Sequence, residues 1–272
     1  MIRPRSLLAL AIGSLAALAG LVYLLYTEAR PTGRAVKVYC AAALKPVMQQ
    51  IAAEYEAETG RHVDFDFGDS GSMLGNAGLR RDGDLFLPAD DSYVRLAEQQ
   101  GLVAEAIPLC RMRAVILTRP GNPHGIKTFD DLLKPGLKVG IANPDRAAIG
   151  KVARDTLAAQ GKWSPLAARL YVQHANVTDS ANAVQLGSAA AAIVWDVVAV
   201  NYPELAVVSV PELDAAVAKV ELAVLNTSPD PAAARRFARY VAAGDRGLSL
   251  IRKAGYANVE PGAPWVDPGG GR

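Results

Sequence analysis

The chain has 272 residues, 51% hydrophobic and 21% charged, with a net charge of +2. That is enough for one large or two medium domains with a real core, and without a Lys/Arg block interleaved with aromatics no nucleic-acid partner is expected. Three histidines, His62, His124 and His174, lie far apart without metal-ligand spacing, and two cysteines, Cys40 and Cys110, are too few for a disulfide framework. Both cysteines sit in apolar, strand-like runs, where two buried thiols and one bridge fit equally well.

Arg3 and Arg5 precede an uncharged run from Leu7 to Tyr26, about the length that spans a bilayer as a helix. Ala17-Leu18-Ala19 could serve as a signal-peptide cleavage site. Cutting there would leave Leu21-Val22-Tyr23-Leu24-Leu25-Tyr26 as an apolar new terminus, so an uncleaved signal anchor is the better reading. The basic end then stays in the cytoplasm and the body is exported, tethered to the inner membrane by residues 7–26. Cys40 lies too far from the apolar run to be a lipidation site, and Glu28 to Arg34 reads as a linker.

The exported body alternates strand and helix. Ala35 to Cys40 reads as an apolar strand. A helix follows from about Leu44, with Pro46 in its first turn, Met48, Ile51, Ala52 and Tyr55 on one face, and Gly60 at its end. Val63 to Phe67 alternates as a half-buried strand. Gly68-Asp69-Ser70-Gly71-Ser72 then forms a junction before a short helix, Met73 to Arg81. A glycine-flanked serine cluster between strand and helix offers hydroxyls and unpaired N–H groups, which suits an oxyanion; the plain alternative is a serine-capped helix.

Asp84 to Leu87 is the next strand, and Asp90-Asp91-Ser92 starts a helix to Gln100, the acidic pair serving as cap and dipole partner. Leu109 to Thr118 is a long β-type run. Past the break at Pro120-Gly121-Asn122-Pro123 come a short helix (Thr128 to Leu133) and a strand (Lys138 to Ala142). Asn143-Pro144-Asp145 leads through Ala147-Ala148-Ile149-Gly150 into a helix reaching Ala159 or Gln160. Tyr171 to Gln173 is a short strand, and Asn176-Val177-Thr178-Asp179 opens another helix. Ala189 to Val194 is a buried strand ending at Trp195-Asp196, Glu221 to Leu225 returns to strand, and Asp230 to Ala243 is an amphipathic helix. The Pro/Gly-rich tail from Pro261 is expected to be disordered.

This pattern predicts an α/β class with mainly parallel strands. It also makes several helix N-termini, from two α/β units, available to one cleft, and such neutral dipoles can hold a dehydrated dianion.

The blocks Val38-Tyr39-Cys40-Ala41-Ala42-Ala43-Leu44, Ser70-Gly71-Ser72, Gly83-Asp84-Leu85-Phe86 with Ala89-Asp90, Ala142-Asn143-Pro144 with Ile149-Gly150, and Ala192-Ile193-Val194-Trp195 give the chain its family likeness. In their order and spacing, from about residue 35 to 258, the sequence resembles the molybdate-binding proteins of ABC importers, within the periplasmic solute-binding superfamily. The resemblance implies two α/β lobes, each a mixed sheet flanked by helices, joined by two crossover strands. Lobe 1 would comprise residues 35–112 plus 222–260, and lobe 2 residues 113–221, between a leader over 1–34 and a tail over 261–272. It implies a monomer that carries a tetrahedral oxyanion, molybdate or tungstate, to an ABC permease, with no catalysis and no cofactor beyond the ion.

Carried over by position, Ser70 supplies a hydroxyl, and Ile149 and Val177 supply backbone N–H groups. Ala43 stands where the family often has serine, leaving only backbone donors there, and Trp195 where it often has tyrosine, leaving an indole N–H. Ser72 is expected to act by hydroxyl and N–H, unless it only caps its helix. Asp69 and Asp196 flank the site and are expected to point away or pair with a cation.

Three rivals are weighed against this reading. Gly68-Asp69-Ser70-Gly71 also matches the nucleophile segment of chymotrypsin-like proteases, but only His62 precedes it and the flanks are not β-barrel. A cation receptor would use Asp69, Asp90, Asp91 and Asp196. A membrane-tethered interaction module would have its cleft filled by side chains. Arg111, Arg113 and Arg146 could steer an anion electrostatically, with solvated surface the preferred reading, and Trp163 is read as a helix-end core contact.

Overall fold

The computed structural model describes residues 33–267 together with Leu18 and Gly20. The proposed anchor, residues 7–26, otherwise lies outside the described residues, and among those described no helix is long and apolar enough to cross a membrane.

Strand β1 (Val36–Ala41) is buried on both faces and has parallel neighbours on either side, β2 (Val63–Gly68) and β3 (Leu85–Leu87). Helix α1 (Lys45–Thr59) follows β1 through a 3₁₀ turn over Ala42–Leu44. It buries Val47, Met48, Ile51, Ala52 and Tyr55, a stripe at helical spacing. It ends where Gly60 takes a left-handed φ of 68°, which costs a glycine little. Helices α2 (Ser70–Arg80) and α3 (Asp91–Gln99) cross from β2 to β3 and onward.

The long strand β4 (Val103–Thr118) changes partners along its length. Up to Arg113 it runs antiparallel to β9 (Val217–Leu225); from Ala114 it pairs with β7 (Ala191–Trp195), and from Ile116 also with β8 (Ala206–Val208). Pro108 sits where the register shifts, a place where a missing N–H is tolerated. Strand β5 (Val139–Ala142) lies parallel to both β7 and β6 (Leu170–His174). Helices α4 (Ala148–Ala159), α5 (Trp163–Ala167), α6 (Val177–Gln185) and α7 (Asp196–Ala199) surround this second group of strands. Helices α8 (Pro231–Val241) and α9 (Gly247–Lys253) return to the first group. The strand order is β2-β1-β3-β9-β4-β7-β5-β6, with β8 on β4. The result is an α/β fold of two lobes, with β4 and β9 crossing between them.

Several sequence expectations need correction. Helix α2 begins at Ser70 and not at Met73, because the Asp69 carboxylate caps it, accepting from the Ser72 N–H at 2.7 Å. The serine cluster is therefore a first helical turn. Strand β4 starts at Val103, earlier than Leu109. Residues 261–267 of the tail are held in place: Trp265 packs edge-on to Tyr240 at 5.2 Å, Asp267 pairs with Arg236 at 2.7 Å, and the Gly244 N–H donates to the Ala263 carbonyl. Proline and glycine here shape a packed strap, and residues 268–272 lie outside the described part. Trp163 stands at the N-terminal end of α5 and packs against the core, the helix-end contact expected of it. The two thiols are separate, free and buried.

Candidate functional site

Four chain reversals meet at one cavity. The first is the turn after β1, where Ala41, Ala42 and Ala43 bring main chain, and almost no side chain, to the wall. The others are the N-termini of α2, α4 and α6, contributing Ser70, Ala148 with Ile149, and Val177. The first N–H groups of a helix have no intrahelical acceptor, and those of Ala43, Ser70, Ile149 and Val177 find none elsewhere among the described residues. Each helix thus presents its positive end to the same small space.

Local sequence explains each reversal. Ser70 is 1% exposed, and its Oγ accepts the Ala89 N–H at 3.1 Å, which leaves its own proton for a guest. Asn176 caps α6 by accepting from the Asp179 N–H at 3.1 Å, so Val177 stands at the first helical position. At the start of α4, Gly150 lies against the end of β5: a Cβ there would come within 2.1 Å of the Ala142 carbonyl oxygen. That close approach sets the position of Ile149. Trp195, 1% exposed at the end of β7, forms a flat wall, and its indole N–H has no partner among the described residues.

The cavity is small. A water's centre can range over about 20 Å³ inside it, equivalent to a void of roughly 3 Å radius once the water's own ~1.4 Å is added. That is the scale of a single small ion, not of an organic metabolite.

Of the residues singled out from sequence, the structure brings Ala43, Ser70, Ile149, Val177 and Trp195 to this lining. It does not bring Ser72 there. The Ser72 N–H and hydroxyl both donate to Asp69, at 2.7 and 2.8 Å, and its Oγ also accepts from Arg146. Asp69 is the one charged residue in the lining. Its carboxylate is spent on the α2 cap, with the Arg146 guanidinium 3.4 Å away. Asp196 is outside the lining and accepts the N–H groups of Arg113 and Val197 at 3.1 and 2.9 Å. Asp90 caps α3, its pKa raised by burial, and Asp91 pairs with Arg95 at 2.8 Å. Among the described residues no group of three or more His, Cys, Asp or Glu side chains could hold a metal. The acidic residues proposed for a cation are thus dispersed and individually engaged.

Sequence reasoning placed Asn176 and Gly150 at helix-opening junctions without giving either a role of its own, and for Arg146 it offered only anion steering or solvated surface. The Asn176-x-x-Asp179 spacing is a legible capping signal. Nothing local marks Arg146, whose role depends on contacts with residues more than fifty positions away. Its carbonyl accepts from the Gly71 N–H at 2.8 Å and from the Tyr93 hydroxyl at 2.9 Å. Burial pushes the pKa of Tyr93 up to about 12, so it stays a donor.

Comparison with known proteins agrees with this architecture. Residues 36–257 match the family described as bacterial extracellular solute-binding protein. The molybdate-binding protein ModA of Mycobacterium tuberculosis (strain ATCC 25618 / H37Rv) is 30% identical over 237 residues, spanning 85% of this chain and 88% of that protein. The periplasmic molybdate-binding protein of Azotobacter vinelandii superposes with a TM-score of 0.71 at 19% identity, covering 82% of this chain and 98% of that one. The sulfate-binding protein SubI of M. tuberculosis H37Rv does so with a TM-score of 0.72 at 18% identity, covering 82% and 86%. With two lobes, a buried cleft lined by helix N-termini, and a profile match over most of its length, this chain belongs to the bacterial extracellular solute-binding protein family.

Proposed function

We propose that this protein captures a tetrahedral oxyanion, molybdate or tungstate, and hands it to an ABC permease. The observation that carries the reading is the convergence of uncharged donors on one ion-sized cavity. The donors are the Ser70 hydroxyl and the main-chain N–H groups of Ala43, Ile149 and Val177, with the Trp195 indole alongside. A dianion stripped of water needs many such donors, and each charge-assisted hydrogen bond contributes about 1.5–3 kcal/mol. No cationic side chain lines the cavity, which suits a carrier that must release its cargo. The 30% identity to a molybdate-binding protein supports the choice of ion.

Capture proceeds by closure of the two lobes on the ion. Ala43 removes a hydroxyl and Trp195 adds bulk, and both act on the fit of the guest. The carrier works as a monomer, without catalysis, held at the membrane by residues 7–26. Deleting those residues should move it from the membrane to the soluble fraction.

Titration calorimetry of the purified protein with molybdate, tungstate and sulfate, against calcium, magnesium and ferric ions, tests the assignment. Saturable heat from the oxyanions is expected. Heat from the metals alone would overturn it.

A further inference from the structure

Arg146 lies in the loop between β5 and α4, on the second lobe, yet every partner the structure gives its side chain belongs to the first. Its carbonyl accepts the Gly71 N–H and the Tyr93 hydroxyl, and its guanidinium reaches the Ser72 hydroxyl and the Asp69 carboxylate. None of these groups is a donor to the guest in the reading above. We infer that Arg146 is the latch of the cleft: a residue that holds the lobes shut and, in the same movement, neutralises the one carboxylate in the cavity wall. The inference rests on closure of the two lobes around a solute, not on which solute it is.

Two parts of Arg146 do separate work. The main-chain carbonyl takes up a helix N-terminal N–H that would otherwise need water or a ligand. The guanidinium supplies positive charge beside Asp69 only when the cleft is shut. An open cleft therefore leaves Asp69 facing an incoming anion with no cation beside it. Closure removes that repulsion, so anion occupancy and latching favour one another.

Gly71 gives the sharpest test. A Cβ there would lie 2.9 Å from the Arg146 carbonyl oxygen and 3.2 Å from its Cα, main-chain atoms with little freedom to yield. Those atoms are on the opposite lobe, so the clash exists only in the closed state. Within its own helix, alanine is favoured over glycine. Gly71→Ala should therefore leave the thermal stability of the protein unchanged or raised while opening the cleft.

The full chain, purified in detergent, is labelled with donor and acceptor dyes at Leu79→Cys and Leu186→Cys. These positions are 86% and 82% exposed on opposite lobes, whereas both native thiols are buried. Energy transfer is read without and with molybdate, and molybdate dissociation is followed by stopped flow. Gly71→Ala should lower the closed-to-open ratio about tenfold, the scale of forced overpacking. Arg146→Ala should lower it about fivefold, with partial rescue in Arg146→Lys, and Tyr93→Phe about threefold. Where molybdate binds, dissociation should speed up by the same factors, with association unchanged within about twofold. An unchanged ratio in both Gly71→Ala and Arg146→Ala, or a wild-type cleft that is open under every condition, would overturn the latch. A wild type that closes and loosens in the variants, yet binds no oxyanion, would sustain the latch and defeat the proposed cargo.

Discussion

Ser70→Ala separates the stabilising and binding roles of one hydroxyl. In the fold, Ser70 Oγ accepts the Ala89 N–H at 3.1 Å in a buried setting. Removing it strands that N–H, a cost of about 1–3 kcal/mol in folding stability. The same oxygen's proton is the proposed donor to the guest, and losing a charge-assisted bond costs about 1.5–3 kcal/mol more, a drop in affinity of roughly 10- to 150-fold. Asp69 remains to cap α2, so the helix itself should persist. Urea unfolding without ligand, with an unchanged denaturant slope, reads the first cost; calorimetry with molybdate reads the second. A variant that loses stability yet binds within twofold of wild type would show that the hydroxyl only supports Ala89.

Three other outcomes are expected. Gly150→Ala forces a Cβ to within 2.1 Å of the Ala142 oxygen and 2.8 Å of the Pro144 nitrogen, so it should cost about 3 kcal/mol or more. It should also displace the Ile149 donor, and urea unfolding beside ligand titration would reveal both losses. Burial lowers the pKa of His174 below its ordinary 6.5, so the unfolded chain binds the proton more readily. Its contribution is present above 6.5 and is lost as pH falls through the lowered value. Melting temperatures between pH 5 and 8 should therefore fall toward acid, and His174→Gln should flatten that slope; a steeper slope in the variant would contradict the assignment. Finally, both cysteines should be silent to a thiol reagent in the native protein, with two reacting per chain after denaturation, and a reductant should not shift the melting temperature.

The donors that belong to helix starts were legible because a strand, a small-residue junction and a helix announce an exposed N-terminus in one short stretch. Ser70, Ile149 and Val177 all follow that pattern. Ser72 misled for a local reason: Asp69 reads as a flanking carboxylate, but as a cap it pulls the helix start back to Ser70 and consumes both Ser72 donors. The tail misled because proline and glycine were read by composition alone. Asp267 and Trp265 tie residues 261–267 to α8 through long-range contacts with Arg236 and Tyr240 that no window of neighbouring residues contains. The latch at Arg146 was hidden for the same reason. An exposed arginine next to Asp145 looks like ordinary solvated surface until the two lobes are brought together.

Most of the groups that would grip the ion are peptide amides, present whatever amino acid occupies the position. Natural variation at Ile149 or Val177 can therefore leave the grip intact, and a change of preferred ion would have to come through the room available to it. Trp195 and the three alanines at the end of β1 set that room, which makes them the places where related solute-binding proteins can diverge in diet while keeping the same handhold.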